Sequence, residues 1–133
     1  MGVLSVYECE PKNLSPLTLA FVGDGVYDLI VREDVVCDAN RPVKDLNKLK
    51  VERVRCQAQA ALMQKLEYLL TEEEANIYKR GRNAHTKHTP KSASTADYHT
   101  ATGLEALFGY LYLSGNIARI KELCTKAADI SDN

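Results

Sequence analysis

Apolar residues recur at helical spacing through most of the chain and define a series of predicted helices. The first begins at Ser15, whose hydroxyl is a good N-cap, and Pro16 suits the first helical position. We expect this helix to run to about Arg32. A second helix is predicted from about Val43 to Leu70 because one side of it is apolar. That side contains Leu46, Leu49, Val54, Ala58, Ala61, Leu62, Leu66 and Leu69.

Three further helices are predicted in the second half of the chain. Thr71 followed by three glutamates is typical of an N-cap with acids in the first turn. The helices are expected from about Thr71 to Gly81, from Thr95 to Leu113 and from Ile117 to Ala128, with a polar loop at 82–94. No stretch with a strand period is longer than 34–37. The sequence therefore predicts a single all-α domain over residues 1–133, with its core at about 15–128.

Composition indicates a globular protein without a membrane anchor. With 45% hydrophobic and 26% charged residues, the 133-residue chain fits a soluble globular domain. Its net charge of −1 excludes a generally basic protein, so any nucleic-acid contact must come from a local patch. Without a signal-peptide pattern or an apolar run of about 18 residues, we expect a cytoplasmic protein with no membrane anchor. The four scattered cysteines fit a reducing compartment, with zinc or disulfides as the alternative.

Two predicted helices each carry one acid inside an apolar stripe. In LAFVGDGVYDL, Asp24 shares its stripe with Leu17, Ala20 and Val31. In ATGLEALFGYLYL, Glu105 shares its stripe with Tyr98, Ala101, Phe108, Gly109 and Tyr112. Glycines flank both acids, at Gly23, Gly25, Gly103 and Gly109. Because glycine costs about 1 kcal/mol inside a helix, this pattern indicates close approach of neighbouring backbones.

If the two stripes face each other, the carboxylates of Asp24 and Glu105 converge in a partly dry place. Like charges there repel, so one acid is protonated unless a cation intervenes. A few hard oxygen ligands with room for water suit Mg²⁺. The alternative is that each acid is satisfied separately, by a lysine or by a helix N-terminus.

A basic segment lies between the two acidic helices. Residues 79–91 carry five cations and no acid, namely Lys79, Arg80, Arg82, Lys87 and Lys91. Because the whole chain has a charge of −1, the other residues together carry −6. This asymmetry favours binding of phosphate groups, although a solvated loop is the simpler alternative. The basic side of the second helix, with Lys44, Lys48, Lys50, Arg53, Arg55 and Lys65, has the same two interpretations.

These motifs resemble a known family. LAFVGDGVYDL resembles the first catalytic box of the ribonuclease III domain, and ATGLEALFGYLYL resembles its second box. The segment KRGRNAH between the boxes is similar to that of the Mini-ribonuclease III group, which has no double-stranded-RNA-binding domain. The resemblance implies that Asp24 and Glu105 bind a divalent metal. It also implies RNA-backbone contacts from Lys79, Arg80, Arg82, Asn83, His85 and Lys87.

The sequence departs from the full-length ribonuclease III pattern at two positions. Leu17 stands where that pattern has a Glu, and Thr102 stands where it has an Asp. The Mini group lacks these acids too and uses one further upstream of the second box, for which Asp97 is the candidate catalytic residue. The alternative for Asp97 is structural, since with Ser94 as N-cap it falls at the third helical position.

The resemblance implies a fold and an activity. It implies a ribonuclease III-like helical bundle that forms a homodimer and hydrolyses double-stranded RNA with Mg²⁺, leaving 5′-phosphate and 3′-hydroxyl ends. The implied substrate is the large-subunit ribosomal RNA precursor, and a need for a ribosomal protein stays open. A non-catalytic RNA-binding module is the competing hypothesis, because Leu17 and Thr102 replace acids. A helical protein–protein adaptor is a third.

Overall fold

The computed structural model of the chain describes residues 2–84 and 94–131. Six α-helices fill these ranges, and the described residues contain no strand. The all-α prediction is therefore confirmed. The helices are α1 (Pro16–Asp38), α2 (Val43–Val54), α3 (Cys56–Leu66), α4 (Glu72–Arg82), α5 (Thr95–Leu113) and α6 (Ile117–Ser131), with short 3₁₀ turns at Pro11–Asn13 and Glu67–Leu69.

The predicted N-caps begin the helices where the sequence placed them. The Ser15 hydroxyl accepts from the backbone N–H of Thr18 and begins α1. Thr71 and Glu74 form a reciprocal capping box at the start of α4, which satisfies two backbone N–H groups. The hydroxyl of Ser94 accepts from the backbone N–H of Asp97 at 3.0 Å and begins α5. Local side-chain chemistry therefore sets these three boundaries.

Helix α5 is the centre of the domain. Ten of its 19 residues are buried, and α1, α3, α4 and α6 pack around it. The largest fully buried side chains form one core, which consists of Val31, Met63, Leu66, Leu104, Leu107, Phe108 and Leu123. The ring of Phe108 lies 6.0 Å from that of Tyr27, centroid to centroid, in a tilted arrangement. Because α5 carries Glu105, the central helix of the core also carries one of the candidate site residues.

Glycine allows α1 and α5 to cross with their backbones almost in contact. A Cβ atom added to Gly23 would lie 1.6 Å from the Glu105 carbonyl oxygen, and one added to Gly109 would lie 1.9 Å from the Leu19 carbonyl oxygen. The predicted close approach is thus confirmed for these two glycines. It is wrong for Gly25, whose Cβ would meet no atom within 4 Å.

Helix α4 approaches α5 in the same way. A Cβ atom added to Gly81 would lie 2.6 Å from the Cβ of Ala106. Gly81 is buried within α4, close to the predicted end of this helix. Since α4 continues through Arg82, the cations of residues 79–82 belong to its last turn, where positive charge complements the helix dipole.

Two predicted helix lengths are wrong. Helix α1 continues to Asp38 because its buried stripe extends through Val31 and Val35. The helix predicted over 43–70 is interrupted at Arg55, whose backbone is extended with φ −69° and ψ 157°. The side-chain amide nitrogen of Gln59 donates to the Val54 carbonyl at 2.8 Å and so satisfies the end of α2. α2 and α3 therefore leave this point in different directions.

Ion pairs tie the outer elements to the core. Arg119 on α6 contacts both carboxylate oxygens of buried Glu74, at 2.8 and 2.9 Å, and donates to the Leu69 carbonyl. On α2, Lys50 pairs with Asp28 at 3.4 Å and Arg53 pairs with Asp34 at 3.0 Å. Part of the basic side of the second predicted helix is therefore used to fix α2 on α1.

None of the helices found in the described part of the chain combines the length and apolar character needed to cross a membrane.

Candidate active site

A cleft of about 320 Å³ opens where α1, α5 and the α2–α3 break meet. The break turns the start of α3 toward α5, so polar groups from three elements face the same space. The cleft is lined by Asp24, Val54, Arg55, Cys56, Gln57, Gln59, Tyr98, Ala101, Thr102 and Glu105. It brings together the two acids from the motif-bearing stretches, which are far apart in the sequence.

The contact at Gly23 positions these two acids. Because the Gly23 backbone rests on the Glu105 carbonyl, the next residue of α1, Asp24, projects beside the Glu105 side chain. The two residues differ in burial, since Asp24 is exposed and Glu105 is only partly accessible. The predicted buried stripe around Asp24 is thus wrong at Asp24 and at Leu17, while Ala20 and Val31 are buried. The prediction that the acids converge agrees with this geometry.

Burial and the neighbouring acid both hold Glu105 in its protonated form. The pKa of Glu105 is raised to about 8, first by loss of solvation and then by the charge of Asp24 and a hydrogen bond to it. A hydrogen bond from Gln59 opposes this increase. Within residues 2–84 and 94–131, neither Asp24 nor Glu105 forms an ion pair with a lysine or arginine. The described residues therefore give no support to the alternative that a lysine neutralises each acid separately.

Gln59 closes the inner wall of the cleft. Its side chain is only 3% exposed, and its amide nitrogen also lies 3.4 Å from Oε2 of Glu105. Thr102, the residue that replaces an acid of the full-length pattern, donates its hydroxyl to the Tyr98 carbonyl at 3.0 Å. The hydroxyl proton of Thr102 is therefore used within α5. The polar side chains that remain available in this part of the cleft are Asp24, Gln59 and Glu105.

The rim of the cleft carries Arg55 and Cys56 in place of acids. Arg55 is exposed and lines the same cleft as the two acids, without an ion pair to either of them in the described residues. The adjacent Cys56 has a raised pKa because of burial and the charge of Glu105, with a smaller contribution from Asp97. The thiol is therefore neutral at physiological pH and is a poor metal ligand there.

Asp97 lies near the cleft without lining it. It is partly buried in the first turn of α5, and it is close enough to Cys56 to influence the pKa of the thiol. Its backbone N–H is capped by Ser94, as the structural alternative predicted. Among the described residues, no group of three or more His, Cys, Asp or Glu side chains is arranged to hold a metal ion. The structure therefore brings together Asp24 and Glu105, with Asp97 outside the pair.

The predicted RNA-binding residues lie on a separate surface at the end of α4. Lys79 and Arg80 are exposed and, with Asn83, line an open depression that also includes Pro16. The guanidinium of Arg82 instead lies 5.4 Å from the ring centroid of Tyr78, a cation–π contact. His85 and Lys87 fall outside the residues that the structure describes, as do His88 and Lys91.

The sequence pattern did not predict that Gln59 and Arg55 belong to the cleft. Gln59 was assigned no role, and Arg55 was grouped with the basic side of a helix. Both gain their position from the α2–α3 break. The sequence offers one signal, since a glutamine flanked by Ala58, Ala60 and Ala61 is polar within an otherwise small, apolar stretch.

Comparison with protein families identifies the domain. Residues 17–116 match the model of the Ribonuclease III domain. A Mini-ribonuclease 3 of Thermoanaerobacter sp. (strain X514) is 47% identical over 127 residues, which cover 92% of this chain and 89% of the relative. A Mini-ribonuclease 3 of Symbiobacterium thermophilum is 44% identical over 119 residues, covering 90% and 92% of the two chains.

A solved structure has a similar fold. The crystal structure of a protein from Fusobacterium nucleatum superposes with a TM-score of 0.78 at 32% sequence identity. The match covers 85% of this chain and 87% of that one. The residues that match the family model, 17–116, include both acids of the cleft. The chain belongs to the ribonuclease III domain family and, within it, to the Mini-ribonuclease 3 group.

Proposed function

We propose that this chain is a metal-dependent endoribonuclease that hydrolyses double-stranded RNA. Membership of the ribonuclease III domain family supports the general activity, a ribonuclease that acts on duplex RNA. The observation that carries the more specific proposal is the pairing of Asp24 and Glu105 in a cleft, without a neutralising cation in the described residues. Two close carboxylates of this kind are stable as anions only when a positive group joins them.

The donor set fits Mg²⁺. Asp24 and Glu105 supply hard carboxylate oxygens, and the cleft has room for water and for a phosphate group. Mg²⁺ commonly binds proteins through one or two carboxylates and retains several waters, so a cluster of three acids is not required. Asp97 remains a proposed auxiliary residue that acts from the rim.

The side chains of the cleft have different proposed roles. A bound Mg²⁺ would supply activation of water and neutralisation of charge on the phosphate. Glu105, anchored on the central helix, would hold the ion from inside the cleft, and exposed Asp24 would hold it on the side of the incoming RNA. Arg55 on the rim is positioned to contact a phosphate oxygen. Hydrolysis breaks the bond between phosphorus and the 3′ oxygen, which leaves a 5′-phosphate and a 3′-hydroxyl.

The end of α4 is the proposed surface for the RNA backbone. Lys79 and Arg80 are exposed there, Asn83 is adjacent, and His85 and Lys87 continue the same segment. Duplex RNA exposes phosphates and 2′-hydroxyls more readily than base edges, so such contacts recognise shape rather than sequence. We expect Arg80→Gln to weaken RNA binding and to reduce its dependence on salt.

The proposed homodimer uses the outer face of α1. Phe21, Leu29 and Val36 are 81%, 57% and 55% exposed, and they share one side of this helix. Large exposed apolar residues in one line are typical of an interface. Because Asp24 lies at the border of this stripe, pairing two copies would place two clefts on one RNA duplex. Each cleft would then cut one strand.

The mutation Asp24→Asn tests the proposed activity. We expect it to abolish Mg²⁺-dependent cleavage of duplex RNA while RNA binding is retained, because the amide keeps the shape of the side chain but not its charge. Asp45→Asn, at an exposed acid on α2, is the matched control and should cleave normally. Full activity of Asp24→Asn would exclude the proposed site. Binding without cleavage by the wild-type protein would favour the non-catalytic module.

The mutation Phe21→Glu tests the proposed homodimer. We expect it to give monomers in sedimentation analysis, because a charge would be placed in the apolar interface. Tyr68→Glu, at a 70% exposed tyrosine on the turn at Glu67–Leu69, should leave dimers intact. Dimers in both variants would contradict the α1 interface.

Ribosomal RNA maturation is the proposed cellular role. Mapping the cuts in a precursor stem of large-subunit ribosomal RNA, with and without the ribosomal protein that binds it, tests both the substrate and the need for that partner. Random cuts under both conditions would contradict this assignment.

A further inference from the structure

Gln59 has an unusual place among the buried polar side chains. Three polar or charged residues are buried in the described part of the chain, Gln59, Glu74 and Thr102. Glu74 is paired with Arg119, and Thr102 donates to a carbonyl of its own helix. The Oε1 atom of Gln59, in contrast, is buried and has no hydrogen-bond partner among the residues that the structure describes.

The orientation of the Gln59 amide is fixed by its surroundings. Its nitrogen lies 2.8 Å from the Val54 carbonyl oxygen and 3.4 Å from Oε2 of Glu105, and both of these atoms are acceptors. Rotating the amide by half a turn would place its oxygen against the Val54 carbonyl, where no donor is present. The nitrogen therefore faces Val54 and Glu105, and the oxygen is left without a partner.

The unpartnered oxygen requires a donor. Leaving a buried acceptor unsatisfied costs about 1–3 kcal/mol, so such atoms normally contact water or a ligand. The cleft that Gln59 lines also contains Asp24 and Glu105, which are both acceptors once a bound cation has displaced the proton of Glu105. Water that hydrates a divalent cation has two protons to donate, and it would be held here by the same pair of acids.

We propose that Gln59 is a positioning residue for the cation, which rests on the proposed function of the cleft. Its amide nitrogen orients the Glu105 carboxylate, and its Oε1 accepts a hydrogen bond from water that hydrates the ion. Groups that orient a ligand in this way commonly change metal affinity by about 10–100-fold when they are removed.

Two substitutions separate the oxygen from the rest of the side chain. Gln59→Met keeps the length of the side chain but removes both polar atoms, whereas Gln59→Glu keeps an oxygen and loses the amide donor. Both variants lose the bond to Val54, and Gln59→Glu also adds a negative charge that favours a cation, so the loss of affinity in Gln59→Met is the test of the polar atoms of Gln59. Gln64→Met makes the same change at an exposed position of α3 and is the matched control.

The measurement is binding of Mn²⁺ to the RNA-free protein, followed by the electron paramagnetic resonance signal of free Mn²⁺. Circular dichroism and urea unfolding report folding of each variant. We expect Gln59→Met to weaken Mn²⁺ binding by about 10–100-fold, and Gln59→Glu and Gln64→Met to bind at least as tightly as wild type.

Two results would overturn the inference. Equal Mn²⁺ affinity of folded Gln59→Met and wild type would show that the oxygen plays no part and would leave the proposed function intact. No Mn²⁺ binding by wild type would overturn this inference together with the metal-dependent function. If Gln59→Met does not fold, Gln59→Glu decides, because clearly weaker binding by this variant contradicts a role for the oxygen.

Discussion

The mutation Glu105→Gln should stabilise the metal-free protein at alkaline pH. In the folded chain, burial and the nearby Asp24 carboxylate raise the pKa of Glu105 to about 8 from an ordinary value of 4.5. The folded state therefore holds this proton more tightly than the unfolded state. Ionisation of Glu105 then opposes folding, and glutamine removes that opposition because it cannot ionise.

The pH window follows from the two pKa values. Below about pH 4.5 the carboxyl is protonated in both states, and Glu105 contributes its full share of stability. As the pH rises from 4.5 to about 8, the unfolded state loses the proton first, so stability falls, and above that range the loss is complete. The upper limit of the loss is roughly 5 kcal/mol, at about 1.4 kcal/mol per pKa unit. Solvent in the open cleft reduces the expected value to about 2–4 kcal/mol.

Urea unfolding in the presence of a chelator measures this effect. We expect Glu105→Gln and wild type to be similarly stable at about pH 5 and the variant to be more stable by about 2–4 kcal/mol at about pH 9. Glu52→Gln, at an exposed acid on α2, is the control and should show no such divergence. Burial raises the pKa of Cys124 to about 11 and also raises the pKa of Cys56, so both thiols ionise less readily than an ordinary cysteine.

Adding Mg²⁺ completes the experiment. A cation that binds the folded wild type should restore its stability at alkaline pH, with little effect on Glu105→Gln, which has lost one ligand. A stability difference that is the same at all pH values would refute the reasoning, since it would show that packing rather than ionisation separates the two proteins.

Two further predictions concern packing. Gly23→Ala should destabilise the chain by about 1–3 kcal/mol or more, because its methyl group would lie 1.6 Å from a carbonyl oxygen. Gly25→Ala should be neutral or should stabilise the chain by up to about 1 kcal/mol, because its methyl group would meet no other atom. Thermal unfolding of dilute protein compares the two variants. Glu74→Gln should cost about 3–5 kcal/mol because it leaves half-buried Arg119 without its buried charge partner. Glu122→Gln, at an exposed partner of the same arginine, should cost under about 1 kcal/mol. Equal effects within either pair would contradict the packing argument.

Local chemistry made part of this fold predictable. A hydroxyl residue before an apolar stripe predicts a helix start, because it satisfies free backbone N–H groups. Three helices begin in this way, at Ser15, Thr71 and Ser94. The convergence of Asp24 and Glu105 could also be predicted from the sequence. An acid and a neighbouring glycine in an apolar helix indicate that this helix packs closely against another.

Other features depend on tertiary contacts that one helix cannot reveal. The apolar spacing of residues 43–70 is continuous across Arg55, and the break exists because Gln59 satisfies the Val54 carbonyl from the next helix. Gly25 was misjudged for a similar reason. A glycine in a helix signals either close packing or none, and only the position of α5 distinguishes the two.

The crossing of α1 and α5 links the stability of the core to the geometry of the site. Because Gly23 touches the Glu105 backbone and immediately precedes Asp24, the distance between the helices also sets the separation of the carboxylates. A change that widens the crossing should therefore weaken cation binding before it unfolds the domain, since the rest of α5 is held by α3, α4 and α6. Gly23→Ala is the sharpest case. A folded Gly23→Ala protein with wild-type cation affinity would show that the carboxylates adjust independently of the helices that carry them.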